Sequence, residues 1–199
     1  CHHKLQYNSV IESMLLLFIL CALLVVAYAL QLRTIVITGA NRGVGFEAAK
    51  QLSANPNNQV ILAVRDVSKG MSALQKIKSA NDNNNVEVME CDLADLDSVS
   101  SFIKSIGNRP IHALCCNAGI QVGKGVGLGK TTGSDESNVR RTKQGYELTI
   151  GTNHISHFLL VKKLLPNLIE AAKSGNNGLT SRIIYTGSGV HNPEEPGGD

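Results

Sequence analysis

The sequence predicts an α/β fold, a doubly wound parallel sheet, and three observations carry that prediction. Short β-rich runs recur at Thr34–Thr38, Gln59–Val64, Val86–Cys91, Ile111–Cys116 and Arg182–Thr186. They are continuously apolar rather than alternating, the pattern of strands buried on both faces. Amphipathic segments of helical period separate them, and strand–helix alternation at this spacing implies parallel strands joined by right-handed crossovers.

Taken in order, the first segment after a strand places Val44, Ala48 and Leu52 on one helical face. The second places Met71, Leu74 and Ile77 on another, with Lys69, Lys76 and Lys78 outside, and the third groups Val99, Phe102, Ile103 and Ile106. Tyr146 to Lys173 is the longest helical stretch, and Pro166 is expected to kink or divide it. Gly151-Thr152-Asn153 within it costs helix propensity, which points to a functional distortion there. Turn chemistry at Asn55–Asn58, Asn81–Asn85 and Gly175–Gly178 punctuates the rest. Gln121–Gly145, rich in Gly, Ser and Thr, breaks the alternation and reads as a long mobile loop with a small basic cluster, Arg140, Arg141 and Lys143. Its GKGVGLGKTT invites a phosphate-loop reading. That motif needs glycine where Lys124 stands, and no strand precedes it, so the reading is set aside.

The 199 residues suffice for one domain, and 43% hydrophobic with 18% charged residues is an ordinary globular composition. A net charge of +3 without a dense basic block gives no sign of a nucleic-acid partner. The five cysteines show no C-x-x-C pair and no metal spacing; Cys91, Cys115 and Cys116 fall in strand-like segments and read as reduced core thiols. His154 and His157, three apart, read as packed or exposed helix residues rather than a metal pair.

Residues 1–33 read as a leader and 34–199 as the folded domain. Met14–Leu30 is a run of 17 apolar residues, and Ser13–Leu32 carries no charge, about 30 Å as a helix. The run therefore predicts an N-terminal apolar, transmembrane helix or uncleaved signal across residues 14–32 and a membrane-associated protein. One alternative is a cleaved signal peptide, which would leave a soluble protein; another is upstream sequence translated by mistake, with Met14 as the true start. The chain starts at Cys1 and stops in a Pro/Gly-rich stretch, so a fragment with an incomplete sheet is expected.

A helix N-terminus offers unpaired N–H groups and partial positive charge to a phosphate, and only glycine lets the backbone approach closely. TIVITGANRGVG supplies the first strand, the turn and the helix start, with Gly39, Asn41, Arg42, Gly43, Val44 and Gly45 as candidate dinucleotide ligands in a Rossmann-like three-layer arrangement. A carboxylate at the end of the second strand would take the ribose hydroxyls of NAD. This chain instead has Val64 followed by Arg65, and Arg42 can reach the same corner; two cations there suit the 2′-phosphate of NADP(H). Asp66 is expected to point elsewhere.

These motifs resemble the short-chain dehydrogenase/reductase family from Thr34 to Ser188. TGANRGVG resembles its glycine motif. Cys91-Asp92-Leu93 resembles the end of strand three, where Asp92 and Leu93 would contact adenine. Cys116-Asn117-Ala118-Gly119 resembles the motif that buttresses the sheet and lines the cofactor. The resemblance implies that Asn153 holds a proton-relay water and that Ser188 hydrogen-bonds the substrate oxygen. GYELTIGTNHISHFLL and DLADLDSV look most like the protochlorophyllide reductase group, whereas VRD also fits carbonyl reductases and retinol dehydrogenases. Gly119 where that reductase has Ala, and GVHNPEEPGG after Ser188, depart from the pigment-reducing pattern. The implied function is an NADPH-dependent oxidoreductase of a small molecule, protochlorophyllide reductase-like, with a carbonyl- or retinol-type reductase or a non-catalytic NADP-binding protein as alternatives. The implied compartments are endoplasmic reticulum or plastid. The family's proton donor is a Tyr with a Lys four residues on; Tyr7, Tyr28, Tyr146 and Tyr185 are followed at that spacing by Ile11, Leu32, Ile150 and Gly189. The pair is therefore expected beyond Asp199, and the 199 residues alone are expected to lack normal turnover.

Overall fold

The computed structural model describes residues 14–21, 32–80, 85–121, 139–174 and 180–187. The chain divides into two units, Cys1–Leu32 and Arg33–Asp199. In the first, residues 14–21 form a helix, α1, whose Met14–Leu20 side chains are exposed. No helix among the described residues is long and apolar enough to cross a membrane. The rest of the predicted span at 14–32 lies outside the described residues, apart from Leu32.

The second unit alternates as the sequence predicts: β1 (Arg33–Thr38), α2 (Gly43–Ser53), β2 (Asn58–Val64), α3 (Val67–Ala80), β3 (Val86–Glu90), α4 (Leu96–Ile106) and β4 (Ala113–Cys116). There follow a short turn α5 (Leu148–Ile150), a π-helix (Gly151–Ile155), α6 (Ser156–Ser174) and β5 (Arg182–Tyr185). The strands form one sheet in the order β3-β2-β1-β4-β5, every pair parallel. The order reverses between β1 and β4, and open sheets of this kind bind ligands outside the carboxyl ends of the strands at such a point.

Two apolar layers hold the sheet. Ile35, Ile37, Val60, Leu62 and Val64 meet Ala49, Ala73, Leu74 and Ile77 on one face. Val36, Ile61, Ala63 and Leu114 meet Val99, Phe102, Ile106, Leu160, Leu164 and Leu168 on the other. The face predicted for α2 is displaced by one residue: Gly45, Ala49 and Ser53 are buried, while Val44 is 72% exposed. Alanine and glycine let α2 lie close to the sheet, a cue that apolar periodicity overlooks.

Pro166 does not divide the helix; it stands inside α6. Lys162, Pro166 and Glu170 are all exposed, so the carbonyl that a proline leaves unbonded faces solvent. The interruption falls instead at Gly151–Ile155, where the predicted distortion is a π-turn. A Cβ on Gly151 would collide with Thr142, so glycine there lets the preceding segment pack onto the helix.

That segment corrects a second expectation. Residues 122–138, with the phosphate-loop-like motif, lie outside the described residues, but the end of the predicted mobile loop is tied down. Arg141 bridges to Glu147, Lys143 N–H donates to the Ala94 carbonyl at 3.0 Å, and Lys143 Nζ lies 2.9 Å from Asp95 and 3.0 Å from Asp97. Part of the basic cluster is thus spent on the start of α4. The Lys143 ammonium, followed by the Gln144 amide, holds Asp95 well below the usual carboxylate range, at about 2.

Two histidines are built in neutral. Thr34 N–H donates to His112 Nδ1 at 3.1 Å, and His157 Nδ1 lies 2.9 Å from the Asn153 carbonyl with Nε2 2.9 Å from Thr38 Oγ1. Burial, ahead of any neighbouring charge, pushes both below the ordinary value of 6.5. A depressed histidine pKa means the unfolded chain binds the proton first, so this stability is fully present above about 6.5 and is lost as pH falls towards the folded values. Urea unfolding midpoints are expected to decline between pH 7 and pH 5. Replacing His112 or His157 by Gln should flatten part of that decline; an unchanged slope in both variants would contradict the assignment.

Candidate functional site

A cleft of about 600 Å³ opens at the carboxyl ends of β1, β2 and β4, at the switch point of the sheet. Its floor begins where β1 ends. Gly39 has φ +67°, and a Cβ there would stand 2.9 Å from the Ala118 Cβ; Gly43 has φ +59° and opens α2. Both positions need a left-handed backbone, which a side chain would strain. Arg42, extended, precedes the helix without capping it by its side chain, so the first-turn N–H groups of α2 remain available to an anion at the cleft.

Of the residues singled out from sequence, Gly39, Asn41, Arg42, Gly43, Val44, Arg65, Asp92, Leu93, Asn117, Ala118 and Gly119 all line this cleft. Gly45 is buried beneath them: a Cβ there would lie 2.5 Å from Asn117 Nδ2 and 2.8 Å from the Gly39 carbonyl. Its place is the close approach of helix to turn. Asn153 stands behind Gly119, its side chain within 3.6–3.8 Å of where a Gly119 Cβ would be. Ser188 lies outside the described residues.

Asn117 binds the sheet from three sides. Its Nδ2 donates to the Thr38 carbonyl at 3.0 Å, its N–H donates to Thr38 Oγ1 at 2.9 Å, and its Oδ1 accepts from Thr186 Oγ1 at 3.1 Å. Asn153 clamps the next stretch: its Nδ2 donates to the Ile120 carbonyl and its Oδ1 accepts from Ile120 N–H, each at 2.8 Å. Asp92 Oδ1 accepts from Ala94 N–H at 2.9 Å, which turns the chain after β3.

Arg65 and Arg42 line the cleft as exposed cations, and the Lys69 ammonium, also lining it, pairs with Asp66 at 3.3 Å. Asp66 also lines the cleft, but its carboxylate is committed to the start of α3, accepting from Ser68 Oγ at 2.6 Å and Lys69 N–H at 3.1 Å. These bonds, the Ser68 hydroxyl first, hold it at about 2. The cleft thiol, Cys91, is pushed up to about 12 by burial, followed by the charge of Asp92, so it offers no thiolate.

The lining residues that the sequence did not mark as ligands include Ile120, Thr152 and Thr186. Thr152 Oγ1 is buried with no protein hydrogen-bond partner, and buried hydroxyls seldom stay unpaired. A buried, unpartnered hydroxyl on a lining residue, two glycines at positive φ, an open helix start and the cations Arg42 and Arg65 together fit a phosphate-bearing nucleotide. Thr152 and Thr186 adjoin Asn153 and β5, and that adjacency was the available signal.

Comparison with known proteins follows the same lines. The short chain dehydrogenase family model matches residues 33–195. Human retinol dehydrogenase 11 is 35% identical over 161 residues, covering 80% of this chain and 44% of that protein. Chloroplastic protochlorophyllide reductase of Cucumis sativus is 35% identical over 157 residues, covering 78% of this chain and 35% of that protein. The chain thus spans less than half the length of these curated relatives. A metagenomic short-chain oxidoreductase solved in complex with NADP superposes with a TM-score of 0.61 at 25% identity, covering 81% of this chain and 65% of that one. With the family model spanning the sheet and every motif around the cleft, the chain belongs to the short-chain dehydrogenase family.

Proposed function

We propose that this chain is the cofactor-binding part of an NADP(H)-dependent short-chain oxidoreductase. The observation that carries the reading is the pair of cations lining the cleft, Arg65 at the end of β2 and Arg42 before α2, with the carboxylate of Asp66 already spent on α3. Bound there, NADPH would supply the reducing equivalents for a carbonyl or an activated double bond. The α2 start and the Gly39–Gly43 turn would hold its pyrophosphate, Arg42 and Arg65 its 2′-phosphate, and Asp92 and Leu93 its adenine. Asn117, Ala118 and Gly119 would form the wall, with Thr152 offering its hydroxyl. Asn153 and Ser188 are the residues assigned to proton relay and substrate binding.

The relatives include proteins named for retinol and for protochlorophyllide, at equal identity over similar spans. Both are large apolar molecules, which makes an apolar carbonyl or conjugated double bond the proposed substrate class. Membrane association through residues 14–32 goes with the apolar run and remains part of the proposal. Within the 199 residues no Tyr is followed four positions on by Lys. The chain is therefore expected to bind nucleotide without reducing substrate at the rate of a complete enzyme.

Titrating the 199-residue chain with NADPH and NADH, read by nicotinamide fluorescence, tests the reading. NADPH should bind more tightly, and Arg65→Glu should weaken NADPH about 10- to 100-fold while leaving NADH nearly unchanged, one charge-assisted hydrogen bond being worth about 1.5–3 kcal/mol. Equal affinity for both nucleotides would sink the NADP(H) assignment. In a parallel assay with retinal or protochlorophyllide, consumption of NADPH by this chain at full-enzyme rates would show that a proton donor other than the Tyr–Lys pair is at work.

A further inference from the structure

We infer that His157 is a positioning residue of the nucleotide cleft: its ring joins the two clamps that hold the cleft wall Asn117–Ile120. The inference rests on the reading of that cleft as the NADP(H) site. One clamp is Thr38, whose Oγ1 accepts the N–H groups of Asn117 and Ala118, each at 2.9 Å. The other is Asn153, whose side-chain amide brackets Ile120 with two bonds of 2.8 Å. Between them sits His157, 1% exposed, with Nε2 2.9 Å from Thr38 Oγ1 and Nδ1 2.9 Å from the Asn153 carbonyl.

The chemistry of the partners fixes how the ring is used. A carbonyl only accepts, so Nδ1 carries the proton and donates to Asn153. In a neutral ring Nε2 then accepts, and the Thr38 hydroxyl supplies its one proton to it. Both lone pairs of that hydroxyl are taken by the Asn117 and Ala118 amides, so the chain of bonds runs in one direction with every member satisfied. The Cys115 carbonyl, 3.3 Å from the same hydroxyl, is the more distant acceptor. Asn153 lies within the π-turn, and His157 opens α6 just beyond it, so the ring grips the distorted segment from the regular helix. The Tyr185 ring stands at 88° to the imidazole, the two ring centres 6.4 Å apart. The position thus demands a group with a donor at one end and an acceptor at the other. Phe fills the space with neither; Gln carries both.

Hydrogen–deuterium exchange of the Asn117, Ala118 and Ile120 amides, followed by NMR on the 199-residue chain, reads the clamps directly. In His157→Phe these three amides should exchange about tenfold faster, while core amides such as those of Ile61 and Leu62 keep their rates. His157→Gln should restore most of the protection, and NADPH affinity should fall in the order wild type, Gln, Phe. Unchanged exchange in the Phe variant, or a Gln variant as exposed as Phe, overturns the inference. Should His157→Phe fail to fold, the nitrogen shifts of the wild-type imidazole decide: protonated Nδ1 with bare Nε2 supports the assignment and the opposite tautomer refutes it. If the wild-type chain binds no NADPH, the functional reading fails while the exchange pattern still decides the role of His157.

Discussion

A hydroxyl has one proton to give and two lone pairs to fill, and at Thr38 all three are in use. Two lone pairs take the amides that begin the stretch after β4, and the proton points to a ring on α6. Through this one oxygen the first strand, the cleft wall and the long helix are held in register. Leaving a single buried donor unsatisfied costs about 1–3 kcal/mol, so the arrangement tolerates little change. The glycine turn depends on it in space as well. Gly39 can approach Ala118 only because both residues are small and the wall is drawn in against β1.

What could be read from the sequence was local, and what could not was set by distant contacts. The turn from Gly39 to Gly43 was legible because positive φ is a demand that glycine alone meets comfortably. Gly151-Thr152-Asn153 was legible as a weak spot in a helix, though not that the chain would answer with a π-turn. The α2 face was misread by one residue because its buried positions are Gly, Ala and Ser, which carry no apolar signal. Pro166 does not end α6 because a proline on the solvent side of a packed helix leaves its orphaned carbonyl in water. The fastening of Lys143 to Asp95 and Asp97 joins residues about fifty positions apart, and no period in the sequence announces such a pair.

The same division explains why relatives of different substrate stand at equal distance. The chain is 35% identical both to a retinol dehydrogenase and to a protochlorophyllide reductase, and the family model spans the glycine turn, the Asn117–Gly119 wall and the π-turn. Those parts face a nucleotide and are indifferent to what it reduces. Specificity for one apolar molecule over another has to come from side chains that meet the substrate, and such positions leave no mark on motifs built around phosphates.

The last strand has a practical consequence. Among the described residues β5 pairs with β4 alone, and Ile183, Ile184 and Tyr185 are 41%, 47% and 55% exposed. A row of unpaired backbone groups flanked by β-branched and aromatic side chains is a template for another strand. In a test tube such an edge, if nothing outside the described residues covers it, invites two copies to pair as their concentration rises. A charge on such an edge blunts that pairing, and Ile183, 41% exposed, is a position where a lysine can stand.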